Sequence, residues 1–501
     1  MNNLIWLALT AIFFVWQLFV RLTGDLEVSF AAAFLTDYYG SFPQNVLTSW
    51  NLRGFGYNGL LYLLYKFLGL FGVSPASSSF GVVAKTVYLI AFIGIAGLFF
   101  KMMKSRFTHP NLSWQTAFFI FTIVMLAVAP FCMMQPEHLA SLYVVGMIAF
   151  ALSENSRLNW LSGLFAVLLF SVKYVTLAFA GVAFLIVLYE ALTTKNTVRL
   201  IRFCLSSGVA MIVTAFWFLF FSPQLVKDLK EATLFQSSFK LSLGELSSFS
   251  FNFFRSGWEI PTLLLGILVF SYLVINRIRQ RKYTDLALLL LLIAIPAVAV
   301  FVQARYARYH YVAFLPVFVV CIYYCVTILN AKSLKLLGIV SGIGLGFWVI
   351  LVTISKDFGR IPYLTSQTNI ACERNRTAYE RQQIAAKIAV VMEPRSASSI
   401  LFLADGTVNY YIRNKSHLRH FLPLPIQRAE GNAKLKNSDV YKNVLAQALA
   451  YQGEYIIWDP KWFPLQTVPT LYEKLIDEYD SMSDPGERLI LLKRKPTMPI
   501  N

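Results

Sequence analysis

Apolar runs of about the length needed to cross a hydrocarbon layer alternate along this chain with short polar or basic breaks. They recur near residues 4–20, 80–100, 115–132, 137–153, 157–172, 174–192, 203–221, 260–276, 284–303, 310–328 and 333–354. The pattern predicts a polytopic α-helical membrane domain of about eleven transmembrane helices. A further apolar stretch, Tyr57–Val73, is interrupted by Lys66 and reads as a helix lying near the interface.

After about Lys356 the pattern changes. Thr377–Met392 is helix-like, Ser399–Leu403 reads as a buried strand, and Val408–Ile412 as a helix or strand. Asp439–Tyr451 is an amphipathic helix, Tyr455–Trp458 a strand, Leu471–Tyr479 a helix and Arg488–Leu492 a last strand. Asp405-Gly406 and Asp459-Pro460 mark strand ends turning over. Such alternation predicts a small α/β layer. The expected organisation is a transmembrane domain over 1–355, including an outer first loop at 21–59, followed by a soluble extracytoplasmic α/β domain over 356–501.

Composition supports the membrane reading. Only 14% of the 501 residues are charged and 57% are hydrophobic, whereas soluble domains carry about 25% charge. The formal net charge of +18 raises the question of nucleic acid. Cytoplasmic loops of membrane proteins accumulate Lys and Arg in any case, and no nucleic-acid partner is expected. Five cysteines, mostly inside apolar runs and without a CxxC or a His/Cys ligand spacing, support neither a disulfide framework nor a zinc site. The first apolar run lacks a basic leader and a small-residue cleavage site, and reads as a retained helix.

Charge also orients the chain. With the N-terminus inside, the inner loops hold Lys101, Lys104 and Arg106; Arg157; Lys195, Arg199 and Arg202; Arg277, Arg279, Arg281 and Lys282; and Lys332 and Lys335. All obey the positive-inside rule. That topology puts Gly24–Gly59, Pro136-Glu137-His138, the loop 222–258 and the tail outside a cytoplasmic (inner) membrane. Three features then break the rule or the apolar pattern on the outer side: Lys173, where two apolar runs meet, and Arg305 and Arg308 in a short turn that ends in His310. Basic groups in lipid cost about 2.5–3.5 kcal/mol on insertion scales, and so need partners. Snorkelling to the interface is the plain alternative.

The outer face therefore gathers candidate bases (Asp25, Glu27, Asp37), an acid–imidazole pair in a helix's first turn (Glu137, His138) and cations (Lys173, Arg305, Arg308, His310). Carboxylates beside cations suit one chemistry well: a base takes the proton of an acceptor hydroxyl while cations hold a departing phosphate. With no nucleotide pool outside, that phosphate belongs to a lipid. Each residue has a plainer reading, as a helix cap, a solvated interface charge or a headgroup anchor. Asp37, followed by Tyr38-Tyr39, either binds sugar or caps the next turn; Arg53 lies in a Gly-rich loop and joins the cations. Gly338, Gly342 and Gly346 repeat at four-residue spacing in the last apolar run, which is ordinary close helix packing rather than a phosphate loop.

Taken in order along the chain, several short pieces resemble the GT-C superfamily of multi-span glycosyltransferases, which use polyprenyl-phosphate-linked sugars. They are Gly24-Asp25-Leu26-Glu27 after the first run, Gln135-Pro136-Glu137-His138, Lys173, Tyr309-His310-Tyr311 followed by Pro316, and the α/β tail. The acid pair is Asp-Leu-Glu, not the adjacent Asp-Glu of the protein O-mannosyltransferase-like members, and the Trp-Trp-Asp motif of oligosaccharyltransferases is absent. The resemblance implies an inverting enzyme moving one sugar from a polyprenyl-phosphate donor to an envelope glycan, a lipid-linked saccharide or a protein. It implies Asp25 as the general base, with Glu27 as an alternative base or metal ligand, and substrate contacts from Asp37, Arg53, Glu137, His138, Lys173, Arg305, Arg308 and His310. Some members resemble metal users, so a divalent metal is compatible with the class, but no ligand set demands one. Two rivals remain open. A polymerase or ligase with a lipid-pyrophosphate donor shares the chemistry; a non-enzymatic flippase should show internal repeats and mid-membrane charges, and no repeat is evident.

Overall fold

The structure is a computed structural model. It describes residues 3–19, 29–34, 54–73, 80–107, 113–127, 134–221, 271–303 and, with short interruptions, 383–496, together with a few isolated positions. The chain divides into two compact units. The first comprises Met1–Arg21, Gly81–Trp217 and Lys240–Leu364; the second comprises Leu22–Phe80, Phe218–Phe239 and Thr365–Asn501.

Helices occupy the apolar runs wherever the chain is described: α1 (Asn3–Phe19), α2 (Phe55–Leu70), α3 (Phe80–Met102), α4 (Trp114–Ala127), α5 (Pro136–Ala151), α6 (Ser162–Val172), α7 (Ala180–Thr194), α8 (Thr197–Phe221) and α9 (Tyr283–Gln303). Among the described residues, three are long and apolar enough to cross a membrane: Phe80–Met102, Val175–Thr194 and Thr197–Phe220. Leu4–Val15, Trp114–Leu126, Pro136–Ala151, Leu158–Val172 and Tyr283–Pro296 are shorter apolar stretches. α6, with 11 residues, rises only about 16 Å, half of a hydrocarbon layer. The runs expected at 310–328 and 333–354, and most of that at 260–276, lie outside the described residues.

Small residues let the helices of the first unit approach closely. A Cβ on Gly163 of α6 would lie 2.3 Å from the backbone carbonyl of Ser206 in α8. Beside this contact Ser162 Oγ and Ser206 Oγ are 3.2 Å apart. Gly146 of α5 receives the rings of Phe99 and Phe165, which pack edge to face at 5.6 Å.

The helix ends carry the buried polar groups, and these fall into two sets. At one end, Gln17 Nε2 donates to Leu126 O, joining the ends of α1 and α4, and Lys85 Nζ of α3 donates to Gln17 O at 2.9 Å. At the opposite end, Arg106 pairs with Glu190 at 3.0 Å, Arg277 with Asp285 at 3.3 Å, and Tyr189 donates to Asp285. There the buried Asn159 donates from Nδ2 to the carbonyls of Phe150, Ala151 and Ser153, closing the last turn of α5. Arg106 and Arg277, two of the basic residues that charge assigns to inner loops, thus lie at one end, and Glu137, His138 and Lys173 belong to the other.

In the second unit, Phe30 and Phe34 pack edge to face on Phe80, and Phe34 on Tyr65 of α2. Helix α2 buries Tyr57, Asn58, Leu61 and Leu68. It exposes Leu63, Phe67 and Leu70, with Lys66 over the rings of Tyr62 and Tyr65.

The tail forms a four-stranded sheet in the order β1-β2-β4-β3: β1 (Leu401–Leu403), β2 (Tyr455–Trp458), β3 (Tyr479–Ser481) and β4 (Ile490–Arg494). β1 and β2 are parallel, with Leu401 opposite Ile456; β4 runs antiparallel to both β2 and β3. Alternation along the strands sorts the core. Leu401, Leu403, Ile456 and Leu492 pack with α10 (Asp439–Leu449) and α11 (Pro469–Glu478) on one face. Phe402, Ile457 and Leu491 pack with Ile388 and Met392 on the other. Ser438 caps α10 by accepting from Tyr441 N. Strand β3 is an element the hydropathy pattern does not announce.

Candidate functional site

Of the ten residues singled out from sequence, Glu137, His138 and Lys173 are described, and they lie in one cluster. Asp25, Glu27, Asp37, Arg53, Arg305, Arg308 and His310 lie outside the described residues.

The cluster starts from a strained turn. Met134, a buried non-glycine residue, has φ +61°, a left-handed conformation that costs on the order of 1–3 kcal/mol. Gln135 is extended and Pro136 opens α5, its fixed φ matching the first helical position. Glu137 and His138 follow in the first turn, both fully buried. An acid there is favoured by the positive end of the helix, but burial still demands a counter-charge.

Lys173 supplies it. α6 ends at Val172 because Lys173 is extended, with ψ 126°. Its carbonyl then accepts from Thr176 N at 2.8 Å and Thr176 Oγ1 at 2.7 Å, starting a short 3-10 turn over Tyr174–Phe179. From this break Nζ reaches Glu137 Oε1 at 2.7 Å. The second oxygen, Glu137 Oε2, is buried and has no hydrogen-bond partner among the described residues.

His138 turns the other way. Its Nδ1 lies 2.8 Å from Tyr88 Oη, and its ring centroid 4.4 Å from that of Phe92. A phenol O–H donating to Nδ1 puts the imidazole proton on Nε2. Nε2 makes no hydrogen bond of regular geometry, and the Met125 backbone carbonyl is an acceptor near the ring. Lys85, Tyr88 and Phe92 follow one another at three and four residues, so one face of α3 carries the lysine, the phenol and the ring.

Three sets of buried polar contacts therefore gather at these helix ends: Leu126 O–Gln17–Lys85 across α1, α3 and α4, Tyr88–His138, and Glu137–Lys173. Sequence reasoning placed Glu137, His138 and Lys173 together. It passed over Gln17, Lys85 and Tyr88, although Lys85 is the only charged residue between Phe80 and Phe100, a signal that was available. Chemically, these helix ends offer two lysine side chains, one carboxylate with an open oxygen and an imidazole–phenol pair, a set suited to holding an anion and a hydroxyl. Among the described residues no three His, Cys, Asp or Glu side chains come together as metal ligands.

No family model matches the chain, and no curated protein matches it. Among solved structures, the chain is similar to the crystal structure of ArnT from Cupriavidus metallidurans bound to undecaprenyl phosphate. The identity is 13% and the TM-score 0.48, over 99% of this chain and 98% of that one. A likeness of that degree assigns neither reaction nor substrate to this chain.

Proposed function

We propose that the protein is an integral-membrane, inverting glycosyltransferase of the GT-C type. It takes a single sugar from a polyprenyl-phosphate donor at the outer face of the cytoplasmic membrane and gives it to an envelope glycan, a lipid-linked saccharide or a protein. The observation that carries this reading is the buried Glu137–Lys173 pair beside His138–Tyr88, at the helix ends opposite the basic set. A fully buried carboxylate paired with a lysine, next to a left-handed backbone turn, supports a site at this end.

In this reading Asp25 deprotonates the acceptor hydroxyl, which attacks the sugar's anomeric carbon from the face opposite the phosphate, inverting it. Glu27 and Asp37 flank the acceptor, and Lys173, Arg305, Arg308 and His310 balance the charge on the departing lipid phosphate. Eleven spans and an extracytoplasmic tail complete the proposed topology.

The test is sugar transfer in membranes supplied with a panel of polyprenyl-phosphate sugars, comparing wild type with Asp25→Asn. Consumption of one donor by the wild type and none by a folded Asp25→Asn variant supports the reading. Equal turnover removes Asp25 as the base. No donor consumed, with a lipid-linked oligosaccharide bound intact, favours transport.

A further inference from the structure

The Glu137–Lys173 pair has an asymmetry that a structural ion pair does not need. Glu137 is fully buried, whereas the Lys173 side chain keeps 10% exposure at a break between helices. Among the described residues only one carboxylate oxygen is engaged, and the other has no hydrogen-bond partner. A buried carboxylate held through one oxygen is poorly satisfied, since it can accept at both. Yet with no ligand present the ammonium must have a counter-charge, because an uncompensated buried charge is strongly disfavoured.

We infer that Glu137 is a resident counter-ion, holding the anion-binding side of Lys173 until a phosphate-bearing ligand displaces it. The inference rests on the function proposed above and adds a gate to its donor site. A phosphate brings at least one negative charge and several acceptor oxygens to the ammonium's three donors. The displaced carboxylate remains in the site, so binding adds the phosphate's charge beside it, and repulsion between the two anions opposes the ligand. The displaced carboxylate stays in the first turn of the 16-residue α5, where the positive helix end offsets part of the lost pairing. Lys173 closes α6 in extended backbone, and its side chain keeps the pair's exposed edge. Glu137 thus competes with the ligand rather than helping to bind it.

The two roles predict opposite signs. Binding of polyprenyl monophosphate in detergent micelles, and separately of inorganic phosphate, is measured on the full chain as wild type, Glu137→Gln, Glu137→Asp and Lys173→Gln. The unliganded melting temperature of each is recorded alongside. Glu137→Gln should melt lower than wild type yet bind the lipid phosphate about tenfold more tightly, and Lys173→Gln should bind it more weakly. A gain shared by inorganic phosphate assigns the exchange to the phosphate group alone; a gain confined to the lipid assigns it to the lipid-borne phosphate. Should Glu137→Gln fail to fold, Glu137→Asp decides, because its shorter carboxylate holds the ammonium less well and should also tighten binding. Unchanged or weaker binding in the folded variants, with wild type still turning over donor, overturns the counter-ion role and leaves the proposed function standing. Absence of binding and turnover in every form overturns both.

Discussion

Replacing Gly163 by alanine adds one methyl group at the closest helix contact in the first unit. That carbon would stand 2.3 Å from Ser206 C and O and 2.8 Å from Ser207 N, where ordinary contact begins at 3.4 Å. All three atoms are backbone, so no rotamer change relieves the overlap, and α6 and α8 must separate by about 1 Å. Overpacking of this kind costs about 1–3 kcal/mol. A separation of that size also stretches the 3.2 Å Ser162–Ser206 contact beyond hydrogen-bond range, adding about 1 kcal/mol. The expected loss is about 2–4 kcal/mol. Gly208, in the same α8, supplies the control: nothing lies within 4 Å of a Cβ there, and alanine should be neutral or stabilise by about 0.5–1 kcal/mol. Unfolding of the purified protein in mixed detergent micelles, followed by helical signal, compares the two. Equal stabilities for Gly163→Ala and Gly208→Ala would refute the packing argument, whatever their absolute values.

Removing the ammonium alone, with Lys173→Met, strands Glu137 in a fully buried position and should cost about 3–5 kcal/mol of stability. The double variant Lys173→Met, Glu137→Met should recover much of that loss, and a cycle without coupling would contradict the pair. In the tail, His417 Nε2 donates to Gln447 O at 3.1 Å and its ring lies 4.9 Å from that of Tyr451. Burial, with nearby Lys474 adding to it and the Gln447 bond opposing it, lowers the His417 pKa below its ordinary value. The unfolded chain then binds the proton more readily, so stability is lost as pH falls below about 6.5. Melting curves between about pH 7.5 and 5.5 should show a steeper loss for wild type than for His417→Gln; parallel curves would remove His417 from the pH response.

Much of the helical architecture was legible because burial in a bundle and in lipid both select apolar side chains. The boundaries were legible where chemistry changes abruptly, as at Pro136 and Lys173. The start of α8 was not: Arg199 and Arg202 lower the local hydropathy, so the run appears to begin at 203, while the backbone is helical from Thr197. Lys85 escaped notice because one charge in a 23-residue apolar helix barely moves a windowed average. Its importance comes from neighbours on α1 and from Tyr88, which only folding brings to His138. Glu137 and Lys173 were each noticed as polar groups out of place, but their pairing across 36 residues is a tertiary fact with no local signature. Strand β3 illustrates another limit: Tyr479-Asp480-Ser481 lacks apolar alternation, and it is a strand because β4 offers it an edge.

The second unit is assembled from both ends of the chain, Leu22–Phe80 and Thr365–Asn501, with only Phe218–Phe239 contributed from between. During synthesis its first portion emerges roughly 280 residues ahead of its last, a wait of about 15–60 s at 5–20 residues per second. Throughout that interval the early portion is without the tail's sheet, the other large part of its unit. A truncation that removes the tail would therefore act on residues made first as well as on those made last. That unit can close only when the last of its residues has been made, although others are among the first.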